Sequence, residues 1–259
     1  MSTSAGAGAF SADARREKIK RDVQQTGFLS VRSLTEQLGV SDMTIRRDLR
    51  RLEKEGVVRI VHGGASLPVG ADYRQRGQSE PDAKSVIARY AVALIPEGAT
   101  VLMDAGTTVA AVAEVLPEDF TGYVITHSVP VIEALMERPG IHVHTLGGEL
   151  RRESRAMVGP TTVENLQKVT AQVLLLGAAA ISEQGVFVDK DLERGTKTAF
   201  IESSQRVILV VDHTKFTKFS PVLLAPLSVI DEIVTDAEPP AELRRCFADL
   251  GITVHVVEP

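Results

Sequence analysis

Apolar positions in the first part of the chain recur at helical spacing, and beyond it they gather into short runs separated by helical stretches. Ile19 and Val23 share one face of a helix predicted over residues 13–25 and closed by Gly27. Leu34 and Leu38 mark a second helix ending at Gly39, and Gly39-Val40-Ser41 reads as a tight turn into a third. There the Ser41 hydroxyl can cap the N–H groups of the first turn, and Gly56 can end the helix in a left-handed conformation without a Cβ penalty. Ile45, Leu49 and Leu52 line one face of this third helix. Winding at about 100° per residue sets Met43, Arg46, Arg47, Arg50, Arg51 and Lys54 on the other. Residues 57–61 are β-branched and apolar and run into His62-Gly63-Gly64-Ala65, a strand entering a tight hairpin. Three helices and a wing, with a dense basic face on the third helix, suit the major groove of DNA.

Periodicity then lapses at Pro68, Gly70, Gly77 and Pro81, and the stretch 68–82 reads as a linker. A helix over 84–95 follows, with Val86, Ile87, Tyr90, Ala91 and Leu94 apolar, stopped by Pro96 and Gly98. From there short apolar strands (100–103, 123–126, 141–146, 173–177, 207–211, 233–235 and 253–257) alternate with helices (109–116, 131–137, 197–204 and 241–250). This alternation predicts an α/β domain over 83–259 with a mostly parallel sheet. Residues 1–10, rich in Ser, Ala and Gly, read as a disordered tail, and 11–67 hold the three helices and the wing.

Ligands of open α/β sheets gather beyond the carboxyl ends of the strands. The first strand here runs into Asp104-Ala105-Gly106-Thr107-Thr108 and a helix. Gly106 lets the backbone approach an anion, the threonines offer hydroxyls, and Asp104 can accept from sugar hydroxyls. The turn lacks the Gly-Lys-Ser/Thr ending of a P-loop and the three spaced glycines of a dinucleotide fingerprint. Thr126-His127-Ser128 ends the second strand and Gly147-Gly148-Glu149-Leu150-Arg151 follows the third. Glu193 and Lys197 stand one helical turn apart, and Asp212-His213-Thr214-Lys215 ends a later strand. Singly, each suits an ordinary turn or an exposed face, as a surface Glu193–Lys197 pair would. Together they suit a small phosphorylated polyol, with cations and N–H groups for phosphate and carboxylates for hydroxyls.

Composition narrows the possibilities. Aromatics make up only 4% with no Trp, which argues against platforms that stack single-stranded bases. Residues 11–62 hold 12 Lys+Arg against 8 Asp+Glu, leaving 17 against 26 elsewhere. Phosphates repel an acidic body, so the basic part must face the duplex. Cys246, the single cysteine, excludes an intramolecular disulfide and reads as packing. His142 and His144 alternate on one strand, but no third ligand stands at suitable spacing, so no metal site is expected. No Gly-x-Ser-x-Gly elbow marks a serine hydrolase. Without a signal peptide or an apolar run of membrane-spanning length, no membrane partner and a cytoplasmic location are expected.

The chain resembles the DeoR family of bacterial transcription regulators. The N-terminal likeness rests on Val40-Ser41, Thr44-Ile45-Arg46-Arg47-Asp48-Leu49, Leu52, Gly56 and His62-Gly63-Gly64-Ala65. The C-terminal likeness rests on Lys84, Asp104-Ala105-Gly106-Thr107-Thr108, Thr126, Gly147-Gly148, Arg151, Gly159, Gly177, Glu193 with Lys197, and Asp212 with Lys215. His127 stands where the family usually has Asn, and Ala178-Ala179-Ala180 replaces a more polar stretch. The resemblance implies an N-terminal winged helix-turn-helix plus a C-terminal mostly parallel α/β sensor domain resembling sugar-phosphate isomerases, with catalysis lost and binding of phosphorylated sugars retained.

On that reading the protein is a regulator of carbohydrate genes, most often a repressor. It needs no cofactor, and its partners are a double-stranded DNA operator and a sugar phosphate. DNA falls to Ser41, Met43, Thr44, Arg46, Arg47, Arg50, Arg51, Lys54 and His62, with base edges read from the first turns of the helix. The effector falls to Asp104, Gly106, Thr107, Thr108, Thr126, His127, Gly148, Arg151, Glu193, Lys197 and Lys215. The modest basic balance of one reader argues for a homo-oligomer, a dimer or tetramer. The alternative is an isomerase-like enzyme with an autoregulatory DNA-binding domain, using Asp104, Glu193 and Lys197, although no unambiguous acid/base pair marks it.

Overall fold

A computed structural model describes residues 11–26, 28–61, 63–66 and 73–258. The expected N-terminal tail and His62 lie outside these residues. The chain divides into two compact units, Met1–Ala71 and Asp72–Pro259.

The first unit contains α1 (Ala12–Thr26), β1 (Phe28–Ser30), α2 (Val31–Leu38), α3 (Asp42–Lys54), β2 (Arg59–Val61) and β3 (Gly64–Ser66). Its core joins Ile19, Val23, Leu34, Leu38, Ile45, Leu49 and Leu52, the positions singled out by periodicity, to Leu29, Val31, Val58 and Ala65. α2 starts at Ser30, whose Oγ accepts the Ser33 N–H at 3.0 Å, and ends at Gly39 with φ +64°. Ser41 caps α3 as expected, accepting the Thr44 N–H at 3.3 Å, and Gly56 follows its last turn at φ +72°. The strand expected over 57–61 is shorter than its apolar run. Val57 N–H bonds back to Leu52 O and Val58 turns into the core, so only β2 pairs. β1, too short to leave a pattern, completes an antiparallel sheet ordered β1-β3-β2.

The second unit opens with α4 (Tyr73–Gln78) and α5 (Pro81–Ala93), so the latter half of the stretch read as a linker is helical. Pro81 misled because proline breaks a helix interior yet suits its first turn, where it stands in α5. There follow β4 (Thr100–Met103), α6 (Thr107–Glu114), β5 (Gly122–Thr126), α7 (Val129–Leu135), β6 (Ile141–Thr145), β7 (Glu149–Arg151), β8 (Ala156–Val158) and α8 (Pro160–Leu166). Then come β9 (Val173–Leu176), β10 (Ala180–Ser182), β11 (Gly185–Val188), α9 (Asp191–Glu202), β12 (Val207–Val210), β13 (Val222–Ala225), β14 (Glu232–Thr235), α10 (Ala241–Asp249) and β15 (Thr253–Val256).

The seven strands expected from the apolar runs form one parallel sheet, ordered β15-β14-β12-β9-β4-β5-β6. Its central strands are apolar throughout because helices cover both faces. Alternate residues divide between two cores. Leu102, Leu174, Leu176 and Leu209 pack with Phe200 and Phe247, while Val101, Met103, Leu175 and Val210 pack with Ile87, Val109 and Val112. The β7-β8 hairpin and a small sheet ordered β10-β11-β13 lie outside the main sheet. From β4 the chain winds outward through β5 and β6, then returns to the other side of β4 as β9. The switch in strand order therefore falls between β4 and β9, where such sheets open a crevice at their carboxyl ends.

Candidate functional site

In the first unit, burial of Ile45, Leu49 and Leu52 turns Met43, Arg46, Arg47, Arg50, Arg51 and Lys54 of α3 toward solvent. Met43 is 68% exposed, an unusual position for a thioether with no partner. Arg46 pairs with Asp42 and Arg51 with Glu55, each across one helical turn. Arg47, Arg50 and Lys54 have no ion pair among the described residues. The Ser41 and Thr44 hydroxyls lie 2.9 Å apart at the helix start, so both are engaged in capping. Two further residues, missed as functional in the sequence because their partners are remote, hold α3 in place. Asp48 is buried and receives Arg15 Nε at 2.5 Å and Arg16 Nη1 at 3.3 Å, which ties α3 to α1. Glu53 Oε1 accepts the Ile60 N–H at 2.7 Å, which ties α3 to the first strand of the wing.

In the second unit, Asp104 leaves β4 fully buried at the switch point. One of its oxygens accepts the Gly177 N–H at 3.0 Å from the end of β9, and the Lys197 ammonium from α9 donates to the same oxygen. Lys197 also donates to Gly177 O at 2.9 Å. Burial, the largest influence, would raise the Asp104 carboxyl, but Lys197 and His127 together outweigh it and hold the group below the ordinary carboxylate value. Glu193 and Lys197 do not form the plain surface pair that their spacing also allowed. Lys197 turns inward to Asp104, while Glu193 remains half-buried one turn away with no side-chain partner among the described residues.

His127, at the end of β5, leans on the Phe200 ring and meets Met157 O through Nδ1 at 2.7 Å. Its Nε2 accepts the Ala105 N–H at 3.1 Å, so the proton of the neutral ring sits on Nδ1. The 3.4 Å approach of Nε2 to Asp104 then brings two acceptors together, because the backbone hydrogen fixes the tautomer and Lys197 covers the charge. Thr126 spends its hydroxyl on Met103 O and the Ser128 N–H, and so serves the strand ends rather than the crevice. Gly148 is a packing glycine. It has φ +119°, and a Cβ there would meet the Thr162 hydroxyl and stand 2.7 Å from Val158 O. Arg151 lies on β7 beside Glu149 at 3.5 Å, with no contact among the described residues to Asp104 or Asp212.

A second charged cluster stands at the end of β12, on the far side of β9 from β4. Asp212 is buried and accepts the Thr214 N–H at 3.1 Å, and Lys215 lies 3.4 Å from it. Burial would raise the Asp212 carboxyl, and Lys215 foremost brings it below the ordinary value. Lys84 of α5 reaches the same place. Directly after β4 and Asp104, Gly106 precedes α6 and Thr107 and Thr108 open it, so the helix N-terminus stands at the carboxyl end of the sheet. A cavity of about 620 Å³ is lined by Phe187, Phe216, Lys218, Phe219 and Leu243. It is mainly apolar, and the strand-end chemistry lies outside it.

Similarity to known proteins agrees with this arrangement of parts. Residues 15–69 match the DeoR-like helix-turn-helix domain and residues 79–237 the DeoR C terminal sensor domain. The glycerol-3-phosphate regulon repressor of Escherichia coli (strain K12) is 34% identical over 246 residues, covering 93% of this chain and 98% of that protein. The HTH-type transcriptional regulator GlpR of Haloferax volcanii is 37% identical over 246 residues, covering 93% and 96%. Among solved structures, ribose 5-phosphate isomerase A from Methanocaldococcus jannaschii is 19% identical, covers 53% of this chain and 55% of that one, and has a TM-score of 0.39, too distant to bear on function. The chain belongs to the DeoR family of transcriptional regulators.

Proposed function

We propose that this regulator represses carbohydrate genes and that a phosphorylated sugar or polyol sets its affinity for the operator. The observation that carries this reading is the pair of charged clusters flanking β9. Two strand spacings separate Asp104 from the Asp212 and Lys215 group, roughly 10 Å. That separation suits a ligand with hydroxyls at one end and phosphate at the other. Asp104, His127 and Lys197 take the hydroxyl end, with Gly106, Thr107, Thr108, Lys84 and Lys215 at the phosphate end. Relatives named for glycerol-3-phosphate support a ligand of this class. Lys197 and Asp104 are held by one another and by the Gly177 peptide, leaving neither free to shuttle a proton, which favours binding over turnover. DNA is read by Met43, Thr44, Arg46 and Arg47, with Arg50, Arg51, Lys54 and His62 on phosphates and Ser41 at the helix start. The working form is a cytoplasmic homo-oligomer. Among the described residues no helix is long and apolar enough to cross a membrane.

The test is a titration of a genomically selected operator duplex with and without a panel of sugar phosphates that includes glycerol 3-phosphate. One compound is expected to shift operator affinity by about 5- to 150-fold. Lys215→Ala is expected to keep the affinity and lose the shift. A panel without effect removes the sugar-phosphate reading, and a Lys215→Ala protein that responds normally moves the site.

A further inference from the structure

Helix α4 stands beside the opening turn of α6. A Cβ built on Gly77 would lie 3.8 Å from Thr107 Cγ2. The carbonyl end of α4 is gripped by Lys84, which donates to Arg76 O at 2.6 Å and to Ser79 O. An ammonium has three N–H groups, so one remains for another partner. The Arg76 side chain shares the surroundings of Lys84. Its Nε is enclosed by protein and meets no hydrogen-bond acceptor among the described residues. Its charge is felt at Lys84 and at Lys218. Burial foremost lowers the proton affinity of both lysines, and the neighbouring cations Lys215 and Arg76 lower it further. Arg76 and Lys215 thus act on both Lys84 and Lys218, and Asp212 is the buried carboxylate that reaches both lysines, with Lys215 at 3.4 Å from it. Asp189 and Glu80 are the other carboxylates that reach them. The four cations outnumber these three carboxylates by one, and the surplus favours an anion joining them.

We propose that Arg76 is a ligand of the effector's phosphate, completing with Lys84, Lys215 and Lys218 a subsite for a phosphate dianion beside Thr107. This rests on the sugar-phosphate reading above and adds a residue outside the strand ends. The guanidinium matches two phosphate oxygens at once, and the enclosed Nε is one prong of that fork. A cluster of this charge prefers the dianion to a carboxylate or a neutral sugar. Because Arg76 rides on a six-residue helix, the anion also fixes α4 against α6.

Calorimetric titration of the full chain with inorganic phosphate, and then with glycerol 3-phosphate, tests the proposal. Arg76→Ala is expected to weaken both about 10- to 100-fold, as loss of a charge-assisted pair does. Arg76→Lys should recover part of the loss, because it restores the charge and not the fork. Without ligand, the Arg76→Ala protein is expected to melt no lower than wild type, since a like charge has been removed from the cluster. Wild-type affinity in Arg76→Ala overturns the proposal, and so does an affinity loss that accompanies a lower ligand-free melting temperature. If wild type binds no phosphate at all, the sugar-phosphate reading falls and this assignment falls with it. Binding that survives in wild type and in Arg76→Ala alike removes Arg76 alone.

Discussion

Lys197 is the lysine that pairs with Asp104, a carboxylate buried at the end of β4. Replacing it with Met would strand Asp104, a change expected to cost roughly 3–5 kcal/mol in urea unfolding. Adding Asp104→Asn should return much of that loss. Because the Asp104 carboxyl lies below its ordinary value of 3.8, the pair contributes stability that is present above that value and lost as pH falls through the folded one. Wild type is therefore expected to lose stability more steeply than Asp104→Asn below about pH 4. Gly148→Ala sets a side chain at φ +119° against Thr162 and Val158 O, and should lower stability by roughly 1–3 kcal/mol, read as a fall in Tm. The sequence marked Asp104 as chemistry because a carboxylate closing an apolar strand is visible locally. It hid the partner: Lys197 lies 93 positions away, and Glu193, four residues before it, offered a nearer match. The packing of Gly148 was hidden for a related reason, since the backbone it packs against belongs to another element.

Among elements, short apolar runs announced the central strands of the main sheet most plainly, because burial on both faces leaves β9 and β12 no polar position to blur the pattern. The edge strands β6 and β15, by contrast, carry exposed polar residues. Three-residue strands such as β1, β7 and β10 carry too little pattern to register. α4 was concealed by Gly77 and by Pro81 just beyond it, both of which signal turns out of context. On α3 the division of labour is testable. Arg47→Ala should narrow the gap between operator and random DNA. Lys54→Ala should weaken both and reduce the salt slope by about 1. Equal losses on both duplexes for Arg47→Ala would reverse the assignment.

For the molecule as a whole, an acidic body is carried beside a reader of modest positive charge, and a single reader makes few phosphate contacts. Two readers on repeated half-sites gain affinity through effective concentration alone. Sedimentation is expected to show a dimer or tetramer both free and on DNA, and a monomer in both states would end that expectation. Charge asymmetry was legible from counting residues. The crossing of the chain at β4 and β9 was not, because strand order is fixed by which helices can cover which face, and no stretch of sequence states it.

The Glu53 bond to the Ile60 N–H has a mechanical consequence. It makes the reading helix and the hairpin behind it a caliper with a fixed gap, so that the duplex must do the yielding. The elastic cost of fitting DNA into that gap depends on base steps the protein never touches. Operators whose untouched steps are flexible should bind more tightly than stiff ones with identical contacts. Glu53→Ala, by loosening the joint, should flatten that preference while leaving the contacted bases as well discriminated as before.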